Sequence, residues 1–160
     1  MRRAYHGFSL VEVVIAVGVV AAGVATILAL LPVLLRQSEE STDLQTALRL
    51  PDAIENKLTN QMAGVFPNGM QNGTTLVANK DGTNVRSGTL ADTYTASEQQ
   101  PTFYITVSAV SAGELAYQSN RPVLPLQVQV YWPYSAVKAA GGVANGGNFQ
   151  SVSYFVTLAP

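Results

Sequence analysis

Glu12 is a carboxylate in an unexpected place. It closes the segment Gly7-Phe8-Ser9-Leu10-Val11-Glu12 and directly precedes the 23 residues from Val13 to Leu35, none of which is charged. An ionised carboxylate is costly to place in hydrocarbon, so a glutamate at the head of such a run marks a functional position. The chemistry open to it is charge pairing. An amine about one helical turn away, on this chain or on a neighbouring molecule, offsets much of the desolvation penalty of each ion. Other reactive groups are scarce: the one histidine is His6, cysteine is absent, and no serine has an identifiable base. No catalytic residue, metal site or cofactor is therefore expected.

At a rise of about 1.5 Å per residue the uncharged run reaches roughly 34 Å, enough to cross a hydrocarbon core of about 30 Å. It reads as a membrane-spanning helix. Arg2, Arg3 and the terminal amine lie before it, so the positive-inside rule places this end in the cytoplasm and the rest of the chain across the membrane. Small residues recur within the run, Gly18 and Ala22, then Ala21, Ala25 and Ala29. Such ridges let helices approach closely in lipid, although membrane helices are rich in glycine and alanine in any case. Pro32 lacks an amide hydrogen and is expected to kink or locally melt the helix around Leu28 to Pro32.

A short basic leader ending in Gly7, then Phe8, a glutamate at the fifth position after the glycine, and about twenty apolar residues together resemble the class III signal of type IV prepilins and type II secretion pseudopilins. The resemblance covers about the first 40 residues. It implies that a prepilin peptidase cuts the Gly7-Phe8 bond and methylates the new amine of Phe8, and that Glu12 guides assembly. It also implies helix packing through Gly18, Ala22, Ala25, Ala29 and Pro32 against other pilin or pseudopilin subunits, and an inner-membrane assembly platform as a further partner. The segment Val17-Gly18-Val19-Val20-Ala21-Ala22-Gly23 and the following Leu30-Leu31-Pro32 look most similar to minor pilins and minor pseudopilins. With no cysteine, the C-terminal disulfide loop of many Gram-negative major pilins cannot form. Against this stand an uncleaved signal anchor, in which Glu12 only marks the membrane boundary, and an ordinary secretory signal. The apolar stretch is too long for the latter, and no small-x-small cleavage site lies between Leu30 and Arg36. The missing cysteine excludes a lipoprotein.

Past the membrane run about 125 residues remain, enough for one small domain. From Arg36 onward seven Lys and Arg face nine Asp and Glu, and with no basic stripe nucleic acid is not an expected partner. The chain divides into a leader at 1–7, a transmembrane and assembly helix at 8–35, an amphipathic stalk helix at 36–62 and a globular head at 63–160. In the stalk, Glu39, Glu40 and Asp43 form a polar face, and Leu44, Leu48, Ile54, Leu58 and Met62 are expected to form an apolar stripe, with Pro51 kinking or restarting the helix ahead of Asp52 and Glu55. The region from Gly64 to Pro101 reads as a connection with turns at Pro67-Asn68-Gly69, Asn72-Gly73 and Asp81-Gly82. The oxygen-rich Asn79-Lys80-Asp81-Gly82-Thr83-Asn84 carries one carboxylate and a misplaced glycine for an EF-hand, so a hairpin turn is the better reading than a calcium loop.

Three segments alternate with period two: Phe103, Ile105, Val107 and Ala109; Leu126, Val128, Val130 and Trp132; Val152, Tyr154, Val156 and Leu158. A further short strand is expected near Leu115 to Gln118. One apolar and one polar face per strand predicts an antiparallel sheet packed on one side. The fold class expected is α+β, a long N-terminal helix laid on a small antiparallel sheet. Tyr131-Trp132-Pro133-Tyr134 and the glycine-rich 141–147 suit either core closure or a sugar or partner platform. The function expected is a structural subunit, anchored in the inner membrane by a single pass with its head in the periplasm, then carried into a filament or to the cell surface as a minor component. A signal-anchored module whose head binds a glycan or protein without polymerising is the alternative.

Overall fold

Neither proline breaks the first helix. In the computed structural model, which describes residues 9–62, 73–95, 100–110, 113, 116 and 123–158, α1 runs without interruption over Leu10–Met62, 53 residues. The restart expected at Pro51 and the melting expected around Leu28 to Pro32 do not occur. An interior proline removes one hydrogen bond and adds one clash. At Pro51 that loss is opposed by buried side chains on both sides of it, Ala47 and Leu50 before, Ile54 and Leu58 after.

The chain divides into two units, Met1–Ser41 and Thr42–Pro160. In the first, the described residues are Ser9 and the opening of α1, and every valine, leucine and isoleucine from Leu10 to Leu35 is exposed. Among the described residues α1 is the one helix long and apolar enough to cross a membrane.

In the second unit the rest of α1 meets a five-stranded antiparallel sheet. The strands are β1 (Thr74–Ala78), β2 (Val85–Ser87), β3 (Phe103–Ala109), β4 (Leu124–Trp132) and β5 (Gln150–Leu158), in the order β2-β1-β3-β4-β5. Register pairs such as Leu76 with Ile105, Val107 with Val128 and Val128 with Tyr154 line up the apolar face. That face and α1 form one core, to which the helix contributes Ala47, Leu50, Ile54 and Leu58, each at most 1% exposed.

The helical stripe is therefore not the expected one. Leu44 and Leu48 are 42% and 58% exposed, and the Met62 side chain lies outside the described residues. The cause is angular. At 3.6 residues per turn the step from Leu48 to Ile54 rotates by roughly 240°, so these two share a face only if the helix breaks between them. It does not break, and the face that contains Ile54 and Leu58 runs back through Leu50 and Ala47.

β4 alternates between buried and half-buried side chains along its whole length, and the other two period-two segments behave as expected except at Tyr104. That residue is buried on the face expected to be polar, because a second cluster of Val77, Tyr104, Tyr134 and Val137, flanked by Leu90, Tyr94, Tyr131, Val143 and Phe149, covers one end of it. β1 and β2 lie in the region expected to be only a connection. In β1, Leu76 and Ala78 enter one core and Val77 the other, so the strand has no polar face and no period-two signature. Between β1 and β2 the hairpin turn stands where expected: Asn84 N donates to Asn79 Oδ1 at 3.2 Å and Gly82 N to Asn79 O at 3.1 Å. Gly82 has φ +70°, and a Cβ there would come within 3.1 Å of the Thr46 side chain and 3.3 Å of Leu50. After β4 comes a short helix α2 (Tyr134–Ala139), and a single 3-10 turn (Val143–Asn145) lies within the glycine-rich 141–147. The turn at Pro67-Asn68-Gly69 and Asn72 lie outside the described residues, as do Leu115, Tyr117 and Gln118; Ala116, which is described, is not in a strand.

Candidate functional site

The helix head is organised around Ser9 and Glu12. Ser9 precedes the first helical residue, Leu10, which makes Glu12 the third residue of the helix. Glu12 N donates to Ser9 Oγ at 3.2 Å and to Ser9 O at 3.0 Å, while Ser9 N donates back to Glu12 Oε2 at 3.4 Å. This is a reciprocal capping box: the Ser9 amide finds a side-chain acceptor, the Glu12 amide is shared between Ser9 Oγ and Ser9 O, and a negative group sits at the positive end of the helix dipole. The pattern Ser-x-x-Glu ahead of an apolar run was legible in the sequence and is a known helix-start signal. Reading Glu12 for its charge alone missed Ser9.

The box fixes where the carboxylate stands without consuming its charge. A carboxylate has two oxygens and about four acceptor sites, and Oε2 takes one long bond from Ser9. Glu12 is exposed, so capacity remains for an ammonium. Gly7 and Phe8 lie outside the described residues. Gly18, Ala22, Ala25, Ala29 and Pro32 all fall within α1 and all are exposed. The first four are spaced four, three and four apart, which keeps them on one side of a helix. A Cβ built on Gly18 or Gly23 meets nothing within 4 Å, so neither glycine is required by packing within this chain. The one hydroxyl in the run is satisfied locally, Thr26 Oγ1 donating to Ala22 O at 2.8 Å, which spares an apolar surface an unpaired donor.

The aromatic cluster at the end of β4 does not form one platform. Trp132 enters the main core, with its ring centroid 6.2 Å from that of Phe103. Tyr134 enters the second core, and Tyr131 packs edge-on against Phe149 at 5.7 Å. Alternation along β4 sends Tyr131 and Trp132 to opposite faces. Burial raises the ionisation of the Tyr154 phenol above its ordinary range, and burial followed by the nearby Tyr94 pushes that of Tyr134 up to about 12. Both are neutral hydroxyls at physiological pH.

A family model described as the prokaryotic N-terminal methylation motif matches residues 2–28. No curated protein and no solved structure matches the chain. The matched residues hold the basic leader, the Gly7-Phe8 bond, the Ser9–Glu12 box and the apolar run as far as Leu28. Together with the long apolar helix they fit a class III signal of the type IV pilin kind, on a chain whose remaining fold is a helix on an antiparallel sheet. An apolar helix at this end of the chain is consistent with membrane anchoring of a pilin-type protein.

Proposed function

We propose that the chain is a prepilin-like subunit, cut after Gly7, methylated at the Phe8 amine and assembled as a minor component of a type IV pilus or secretion pseudopilus. Its leader is 1–7, its membrane and assembly helix 8–35, its stalk 36–62 and its head 63–160. Before assembly the arginines hold the N-terminus in the cytoplasm and the helix leaves the head outside the inner membrane. The observation that carries this reading is the methylation motif on the opening of a helix whose valines, leucines and isoleucines from Leu10 to Leu35 are exposed. Such a helix is stable in lipid or in a bundle of its own kind, and small residues at helical spacing suit the bundle.

Mechanistically the subunit works by transfer between those two environments. Cleavage creates an ammonium at Phe8 within a turn of a carboxylate already oriented by Ser9. If the ammonium belongs to the adjacent subunit, Glu12 sets the axial register at which a new subunit joins. Prepilin peptidase and the inner-membrane platform act on this segment, and neighbouring pilins or pseudopilins bind it.

Gly7→Val tests the processing step. A branched side chain at the scissile position should block entry to the peptidase, so the variant should accumulate with its seven-residue leader attached, while the unmodified chain from the same cells is trimmed. A variant trimmed as fully as the unmodified chain would remove Gly7 from the account. The alternative of a binding module that never polymerises requires the leader to persist in both.

A further inference from the structure

The turn that follows α2 places a side-chain amide next to a backbone nitrogen able to attack it. Asn145 is the last residue of the 3-10 turn Val143–Asn145, and Gly146 comes directly after it. We propose that the Asn145-Gly146 pair is a site of spontaneous deamidation, a slow modification that needs water and no enzyme, and that its product loosens the C-terminal end of α2.

The reaction is an attack of backbone on side chain. Hydroxide takes the proton of the Gly146 nitrogen, which bonds to Asn145 Cγ; the bond from Cγ to Nδ2 breaks, and Nδ2 leaves as ammonia. The succinimide so formed adds water at one of its two carbonyls, giving aspartate from one and isoaspartate from the other. The net change is one water gained and one ammonia lost, with nothing oxidised or reduced. The residue after the asparagine governs the rate, because its side chain crowds the attacking nitrogen and narrows the backbone angles open to it, and glycine does neither. Among the described residues Asn145 is the asparagine that glycine follows: Asn56 and Asn79 precede lysine, Asn60 glutamine, Asn84 valine and Asn148 phenylalanine. Asn68 and Asn72, which glycine also follows, lie outside the described residues.

The geometry leaves the pair open to this attack. Asn145 and Gly146 are both exposed. A Cβ built on Gly146 meets nothing within 4 Å, so no neighbour walls off that side of the nitrogen, and its φ of +67° is a backbone state that suits glycine. Neither end of the three-residue turn has a side-chain cap. A single 3-10 turn held so lightly opens locally at low cost, which lets the nitrogen reach Cγ without unfolding the head.

The amide also has a structural task, so its loss registers in the fold. Asn145 Nδ2 donates to Ala140 O at 2.9 Å. Ala140 is the C-cap of α2, and beside it Gly141 N donates to Lys138 O at 3.0 Å and Gly142 N to Val137 O at 3.1 Å. Deamidation removes the Nδ2 donor and sets a carboxylate against a carbonyl at the negative end of a helix. Val137 belongs to the second core, so α2 cannot shift freely to relieve the contact.

This inference goes beyond the assembly reading and holds whether or not the chain is trimmed at Gly7. Full-length protein in detergent micelles is aged in water enriched in heavy oxygen, at neutral and at mildly alkaline pH, then digested and mapped by mass spectrometry. The label separates conversion during ageing from conversion during digestion. The peptide holding Asn145 should gain labelled aspartate and isoaspartate, faster at the higher pH in proportion to hydroxide, while Asn148, exposed in the same loop, remains an amide. Conversion of Asn145 no faster than that of Asn148, or conversion that begins only when denaturant unfolds the protein, overturns the proposal. Asn145→Asp, which supplies the aspartate product directly, should melt at a lower temperature than the unmodified chain and lose hydrogen-exchange protection at the Gly141 and Gly142 amides. Equal melting with equal protection would overturn the link to α2.

Discussion

A chain begun at Gly64 should aggregate, and one begun at Ser38 should be soluble and folded. The shorter chain lacks Leu50, Ile54 and Leu58, three fully buried side chains of the main core, together with Ala47, which lets the helix sit close to the sheet. Truncating one large aliphatic core residue to alanine costs about 2–5 kcal/mol. Removing three, about 6–15 kcal/mol in all, is comparable with the whole stability of a typical small domain, about 5–15 kcal/mol. The exposed sheet face would also present Phe103, Ile105, Val107, Val128 and Val130 as one apolar patch, which promotes association. Single substitutions in the full chain divide the same helix into two faces. Ile54→Ala and Leu58→Ala should each lower stability by about 2–5 kcal/mol, and Leu48→Ala, on an exposed position, should stay within about 0.5 kcal/mol. Equal melting temperatures for chains begun at Ser38 and at Gly64 would mean that α1 does not close the core.

Glu12→Ala should leave insertion and leader removal intact and should sharply reduce incorporation into filaments. Removing the carboxylate relieves a desolvation cost in the membrane but leaves the Phe8 ammonium unpaired in the bundle. Breaking a buried ion pair costs about 3–5 kcal/mol, which at about 1.4 kcal/mol per tenfold corresponds to a loss of at least about a hundredfold in the joining equilibrium. Two further variants separate charge from capping. Glu12→Gln keeps the reciprocal hydrogen bonding of the box, which glutamine also supports, and loses the charge; it should fail as Glu12→Ala fails. Ser9→Ala loses about 1 kcal/mol of helix capping and keeps the charge, so it should assemble nearly normally. Quantifying each variant in sheared and purified filaments against its membrane pool is the measurement. Normal incorporation of Glu12→Gln would assign Glu12 to helix capping alone.

What could be read from the sequence depended on how many faces each element buries. β4 buries one face and its alternation from Leu126 to Trp132 was plain, as was that of β5 from Val152 to Leu158. β1 buries both, and Leu76-Val77-Ala78 carries no period to detect. Tyr104 and Tyr134 belong to a second core assembled from residues as far apart as Val77 and Phe149, and no local pattern announces such a cluster. A break at Pro51 would let Leu44 and Leu48 share the stalk stripe with Ile54 and Leu58. A continuous helix selects Ala47 and Leu50, and alanine draws little notice as a core residue when leucines stand nearby. At the helix head the order is reversed: Gly7, Phe8 and Glu12 were legible as a motif from residue type and spacing, while the hydrogen-bonded role of Ser9 emerged from the geometry.

The central claim is that this chain is matured at the Gly7-Phe8 bond. The most direct measurement is the mass of the N-terminal peptide of the full-length protein extracted from membranes of cells with an active prepilin peptidase. The account predicts a peptide beginning with N-methylated Phe8. A peptide that still begins at Met1 in those cells, while other prepilins in the same membranes are trimmed, would contradict it.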